Sequence, residues 1–253
     1  MTAADSSPGP AAPGPASGFH PDEPHHNGLQ ARLNWLRAGV LGANDGIIST
    51  AGIVVGVAAA TSDRTAILIA GVAALVAGAV SMALGEYVSV SSARDTERAL
   101  IAKETQELAD DPDAELAELA EIYRRKGLSQ RTAHTVAVEL TANDALAAHV
   151  DAELGLDLEH RINPWHAAIA SAIAFTLGAA LPLAAMYFAS PETRVPVTFV
   201  GVIVALAATG SVSAWFGQAH RLRAVLRLLL GGALAMGATW AIGAALGTST
   251  MIA

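Results

Sequence analysis

Five long apolar blocks constrain the fold of this chain more than any other feature of its sequence. A helix needs about 20 residues to cross a hydrocarbon core of about 30 Å. The blocks that meet this length span residues 36–60, 65–90, 165–189, 197–216 and 225–246. Because 53 % of the 253 residues are hydrophobic and only 15 % are charged, a soluble fold is excluded. We predict an all-α membrane protein with five transmembrane helices.

The basic residues indicate how these spans are oriented. If the N-terminus is cytosolic, 13 of the 15 Lys and Arg lie in cytosolic segments, and the outer loops contain only Arg64 and Arg194. This is the asymmetry that the positive-inside rule describes. We therefore predict a cytosolic N-terminus and an outer C-terminus.

The composition divides the chain into four segments. Residues 1–30 are rich in Pro, Gly, Ala and Ser, a composition that cannot build a core, and we predict a disordered tail. Residues 31–91 carry the first two spans, and residues 164–253 carry the last three. Between them, residues 92–163 are predicted to form a three-helix cytosolic insertion.

The insertion is acidic, with 16 of the 23 Asp and Glu residues of the chain. Glu104 and Glu107 lie three residues apart, as do Glu115 and Glu118, so each pair shares a helix face. A tight turn at Pro112 would bring the two pairs together, and carboxylate oxygens bind divalent cations. The alternative is a solvated acidic face, which most charge runs form.

The third helix of the insertion is predicted to run from Ser129 to about Glu153 and to stop at Gly155. It adds His149 and Glu153, which lie four residues apart on one face. Imidazole and carboxylate together are a ligand pair for iron, manganese or zinc. Because the chain has no cysteine, thiolate metal sites and thiol catalysis are excluded.

Two acids and a methionine lie inside the first two spans. Asp45 lies about 13 Å into the first span, and Met82 lies about 12 Å from the cytosolic end of the second. An acid near the midplane costs roughly 2.5–3.5 kcal/mol, so Asp45 is expected to face a wet or partnered interior. We predict a cation path past Glu86 to Met82 and Asp45, with Asn44 as a further oxygen ligand. The alternative is a structural role, in which Asp45 forms a hydrogen bond between helices and Met82 only packs against its neighbours.

At these residues the sequence resembles the vacuolar iron transporter family. The segments GANDGIIST (42–50) and GAVSMALGEYVSVSSARD (78–95) are similar to the family's signatures in its first two helices, and the resemblance covers residues 33–246. It implies a dimer of five-helix subunits that moves ferrous iron, and often manganese, out of the cytosol in exchange for protons. It also implies that Asp45, Met82 and Glu86 line the pathway. The cytosolic glutamates that match the family's metal ligands are Glu104, Glu107, Glu115, Glu118 and Glu153.

Two positions depart from the family pattern. Ala74 stands where some relatives carry an acid in the second helix, which leaves proton coupling through that helix open. His149 and Val150 stand where relatives have paired methionines, which favours a harder cytosolic site. The sequence shows no vacuolar targeting signal, and its composition is typical of a bacterial chain. We therefore expect the protein to lie in the cell membrane.

The sequence therefore predicts a transporter of Fe²⁺, with Mn²⁺ as a second substrate, and not an enzyme. Its expected partners are divalent metal ions, protons, the lipid bilayer and a second copy of the chain; no cofactor and no nucleic acid are expected. One alternative is a membrane-anchored di-iron oxidase, but such bundles usually carry Glu-x-x-His pairs, and no Glu of the insertion has a His three residues on. The other is a membrane-anchored metal sensor that carries no flux.

Overall fold

The computed structural model describes residues 29–156, 163–217 and 220–250, with side chains described from residue 37 to residue 247 within these ranges. This part of the chain consists of helices joined by short loops. The helices are α1 (Leu29–Ala60), α2 (Arg64–Asp110), α3 (Pro112–Arg125), α4 (Gln130–His149), a π turn (Val150–Leu154), α5 (Pro164–Phe188), α6 (Arg194–Phe216) and α7 (Arg221–Thr250). The predicted tail lies outside the described residues, except for its last two positions.

Five of these helices, α1, α2, α5, α6 and α7, are long and apolar enough to cross a membrane. The predicted class, an all-α membrane protein with five spans, is confirmed. The second span does not end before the insertion, because α2 continues through both for 47 residues, about 70 Å. No glycine or proline lies between Gly85 and Pro112 to interrupt it.

Glycines pack α1 tightly against α5 on one side and α7 on the other. A Cβ atom at Gly42 would lie 2.8 Å from the Ser171 carbonyl oxygen, and one at Gly46 would overlap the Phe175 carbonyl. On the other side, a Cβ at Gly243 would overlap the Gly56 carbonyl. Small residues at such spacing let helix backbones approach in lipid, so α1 forms the centre of the bundle.

Two arginines form hydrogen bonds between the loops at one end of the bundle. The Arg64 guanidinium donates to the Ala189 carbonyl at 3.1 Å, and Arg194 donates to the Ser62 carbonyl at 3.0 Å. The α1–α2 and α5–α6 loops therefore meet at one end, and the insertion projects from the other. These are the two basic residues that the charge pattern places outside.

The insertion consists of the second half of α2 with α3, α4 and the π turn. Asp111 caps α3 by accepting a bond from the Ala114 amide at 3.1 Å, and Ser129 caps α4. The predicted third helix starts after Ser129 and ends at Gly155 as expected, but it is not continuous. Asp144 is extended (φ −160°, ψ 98°), and its carboxylate accepts a hydrogen bond from the Ala147 amide at 2.9 Å. This side chain competes with the helix for the backbone donor and starts a second, shorter helix.

Candidate metal centre and membrane pathway

Three buried polar side chains from three helices meet in the insertion. Glu104 of α2, Glu115 of α3 and His149 of α4 are 3 %, 9 % and 0 % exposed. His149 Nδ1 lies 2.8 Å from Glu104 Oε1 and 3.5 Å from Glu115 Oε2. One ligand atom from each residue lies within 4.8 Å of the other two. Two carboxylates and an imidazole at this spacing could hold one divalent cation.

The polar atoms at the centre of this cluster lack ordinary partners. Glu104 Oε1 and both ring nitrogens of His149 are fully buried and form no hydrogen bond within the part of the chain that the structure describes. Nδ1 is close to Oε1, but the two are not aligned as a hydrogen bond. Because unpaired buried polar atoms are costly, a cation coordinated by the two carboxylates and one ring nitrogen would remove most of this cost.

Burial also raises the pKa of both carboxyl groups. The pKa of Glu104 is raised first by desolvation and then by the negative charge of Glu153, while His149 opposes the shift. The pKa of Glu115 is raised by desolvation and then by Glu118. These carboxylates repel one another in a poorly hydrated place, and a bound cation offsets that repulsion.

The other predicted ligands surround this centre at greater distance. Glu153 Oε2 lies 3.9 Å from His149 Nδ1, with its side chain 32 % exposed, so it lies at the rim. Glu107 is bound by Lys103 at 2.7 Å, and Glu118 is exposed on α3. The structure thus brings together Glu104, Glu115 and His149, with Glu153 beside them. Glu107 and Glu118 contribute negative charge nearby.

The predicted membrane residues take three different positions. Asp45 is exposed on the surface of the bundle, and Met82 and Glu86 are half-buried on α2. Asn44 is buried, and its side-chain oxygen accepts a hydrogen bond from the Thr209 hydroxyl of α6 at 2.6 Å. Asn44 therefore ties α1 to α6, whereas Asp45 faces outward.

Phe175 of α5 lies next to both α1 and α2, so its contacts show how Asp45 and Met82 are placed along the bundle. A Cβ at Gly46 would meet the Phe175 backbone, and one at Gly78 would meet its ring, so Gly46 and Gly78 lie at similar levels. Asp45 adjoins Gly46, and Met82 lies about one helical turn, about 6 Å, from Gly78 on the side of the insertion. Asp45 and Met82 therefore lie within about one helical turn of the same level along the bundle.

The surface of α2 near this level is lined by small residues. Ala77, Ser81, Gly85 and Ser89 are all exposed and follow one another at four-residue spacing. A single chain leaves both this stripe and Asp45 uncovered. Such a surface permits the close approach of another helix.

These features can be compared with known proteins. The sequence profile of the VIT family matches residues 36–244, which include all five spans and the insertion. The chain belongs to the VIT family. It is 40 % identical over 229 residues to a vacuolar iron transporter of Acanthamoeba castellanii, covering 89 % of this chain and 85 % of the relative. It is 39 % identical over 215 residues to vacuolar iron transporter homolog 5 of Oryza sativa, covering 85 % and 81 %. VIT-like transporter 1b of Glycine max is 34 % identical over 223 residues, covering 87 % and 80 %.

Sequence reasoning missed two residues that shape this VIT family protein. Asp144 starts the short helix that carries His149, and the signal was the Asn143–Asp144 pair, since both residue types favour helix caps. Phe175 contacts both α1 and α2 between the membrane residues, and nothing in the apolar pattern of α5 distinguishes it from its neighbours.

Proposed function

We propose that this VIT family protein transports a divalent transition metal, Fe²⁺ with Mn²⁺ as a further substrate, out of the cytosol. The observation that carries the proposal is the buried, unpaired cluster of Glu104, Glu115 and His149. Its Glu104 lies on the same unbroken helix, α2, that carries Met82 and Glu86 inside the membrane. Relatives named as iron transporters support the same substrate class.

The continuity of α2 supports delivery of the ion from the insertion to the membrane. Glu104 lies 18 residues beyond Glu86, about 27 Å along the helix. The insertion collects Fe²⁺ on oxygen and nitrogen ligands, and the ion then passes Glu86 to Met82 and Asp45. The Met82 thioether is a soft ligand, which favours transition metals over Mg²⁺ and Ca²⁺.

The exposure of Asp45 supports a homodimer. A carboxylate facing lipid near the midplane costs roughly 2.5–3.5 kcal/mol, so its surface needs cover. A second copy that packs on the small-residue stripe of α2 provides this cover and encloses the pathway between the two chains. Asp45 and Met82 then line a path that a single chain leaves open.

Proton exchange follows from the same groups. A carboxylate that binds metal must release its proton, and it regains one when the metal leaves. We propose that protons entering from outside replace the metal on Asp45 and Glu86. We place the protein in the cell membrane with its N-terminus and insertion in the cytosol, supported by the excess of basic residues at that end.

Flux into proteoliposomes tests the pathway. Fe²⁺ or Mn²⁺ is supplied under anaerobic conditions at the insertion side, with a pH gradient that is acidic on the opposite side. We expect Asp45→Asn, which keeps shape but removes charge, to lower flux by about tenfold or more, a typical cost of disturbing a metal site. Met82→Leu keeps the volume but removes the sulfur, and it should lower Fe²⁺ flux more than Mn²⁺ flux.

The same vesicles separate the proposal from its rivals. Undiminished flux in Asp45→Asn would remove Asp45 from the pathway. Metal binding by the wild type without any flux would favour a membrane-anchored sensor. Oxygen consumption with Fe²⁺ would favour a di-iron oxidase.

A further inference from the structure

The helix that carries His149 is interrupted before it reaches the cytosolic metal centre. Residues 130–143 form its first part, where Ala133 and Ala137 are buried. Asp144 then leaves the helix with extended backbone angles, and helical structure resumes at once after it. Since Asp144 is neither glycine nor proline, the interruption comes from its side-chain bond and from the packing on either side.

The part after Asp144 is short and carries two groups of the centre. It ends in the π turn Val150–Leu154 and is closed by Gly155 in the left-handed region (φ 62°). His149 and Val150 are fully buried in it, and Glu153 lies at the rim of the centre. Residues 144–155 therefore form a unit with its own start, buried anchor and end, and we name it the capped turn.

A helix this short depends on its cap. Isolated helices of a few residues are unstable because the first turn is costly to form. The Asp144 carboxylate accepts a hydrogen bond from the Ala147 amide at 2.9 Å, the third residue after the cap, and so binds one of the unpaired donors. The first part of α4 has a separate cap, because Ser129 Oγ accepts a bond from the Thr132 amide at 3.2 Å.

We infer that Asp144 is the positioning residue of the cytosolic metal centre: its carboxylate starts the capped turn and thereby holds His149 Nδ1 against Glu104 and Glu115. The inference rests on the proposed metal-binding role of that cluster. Asp144 itself is exposed and acts through the backbone, without touching the metal. An unbroken helix would continue in the direction of residues 130–143, and His149 would leave the centre.

Metal titration of the purified full-length protein in detergent tests this role. Co²⁺ is the probe, because its visible absorption reports the number and kind of its ligands as well as its affinity. We expect Asp144→Ala to weaken Co²⁺ binding about fivefold, the size of a typical lost cap, and to change the absorption spectrum as the His149 ligand loosens. Asp144→Asn and Asp144→Ser retain a cap oxygen and should restore both the affinity and the spectrum.

Ser129→Ala is the matched control, because it removes a cap of the same kind from the other end of α4. It should leave Co²⁺ affinity and spectrum unchanged. If Asp144→Ala lowers the helix content of the protein, Asp144→Gly replaces it; since Gly at a cap costs less helix stability, its loss of Co²⁺ affinity should be smaller than that of Asp144→Ala.

Each outcome has one meaning. If the wild type binds no Co²⁺, the proposed metal site fails and the inference fails with it. If the wild type binds and Asp144→Ala binds equally well with the same spectrum, only the inference fails. If Asp144→Asn binds Co²⁺ as weakly as Asp144→Ala, the charge of Asp144 matters and not its capping hydrogen bond, which also overturns the inference.

Discussion

His149 is the residue through which the proposed metal centre of the insertion would select its metal. It is the one nitrogen-bearing side chain among the three that meet there, and its ring is fully buried beside two carboxylates. Imidazole increases the advantage of later divalent metals over manganese, whereas an all-oxygen site is less selective. The sequence identified this residue by its spacing from Glu153, but only the folded insertion shows that Glu104 and Glu115, from distant parts of the chain, are its closer neighbours.

We expect His149→Ala to reduce Co²⁺ affinity about tenfold and Mn²⁺ affinity by less, because the lost nitrogen ligand matters more to the later metal. Competition with a chelating dye on the purified protein measures both values. His134→Ala is the control, since His134 is an exposed histidine on the same helix. Equal losses for the two metals would show that His149 supports the fold of the insertion without selecting the metal.

At the scale of the helices, sequence patterns predicted the spans better than the connections between them. Apolar length alone locates all five membrane helices, because a helix in lipid must pair its backbone internally. α2 continues without a break because no glycine or proline interrupts it after Gly85. The break at Asp144, in contrast, depends on a single side-chain hydrogen bond. Both are weaker local signals than apolar length.

Glycine contacts are the second feature at this scale, and they give a test of the bundle. We expect Gly46→Ala to destabilise the protein by about 1–3 kcal/mol, the usual cost of overpacking, because its Cβ would overlap the Phe175 carbonyl. Gly39→Ala on the same helix is the control, since its Cβ would meet nothing within 4 Å. Thermal unfolding in detergent compares them, and equal midpoints would mean that α1 and α5 are not packed this closely.

The whole molecule has two unlike faces in the membrane. One surface comprises the exposed small-residue stripe of α2 and the exposed Asp45 of α1, and the other comprises large apolar side chains of α7, such as Leu230 and Leu234. Lipid covers large apolar side chains without cost, but it does not hydrate a carboxylate. The sequence contains both faces, yet it could not show that Asp45 and the stripe lie on the outside of one subunit.

Gly85 and Gly237 provide matched positions on these two faces. Both are exposed glycines in membrane helices, and a Cβ at either would meet nothing within 4 Å in a single chain. If a second copy packs on the stripe, Gly85→Leu inserts a side chain into the interface, whereas Gly237→Leu faces lipid. We expect Gly85→Leu to convert the protein from dimer to monomer in detergent, measured by light scattering, and to lower metal flux in vesicles. Gly237→Leu should change neither. A Gly85→Leu variant that stays dimeric and keeps full flux would show that the pathway does not run between two copies at this stripe, and that Asp45 is covered in some other way.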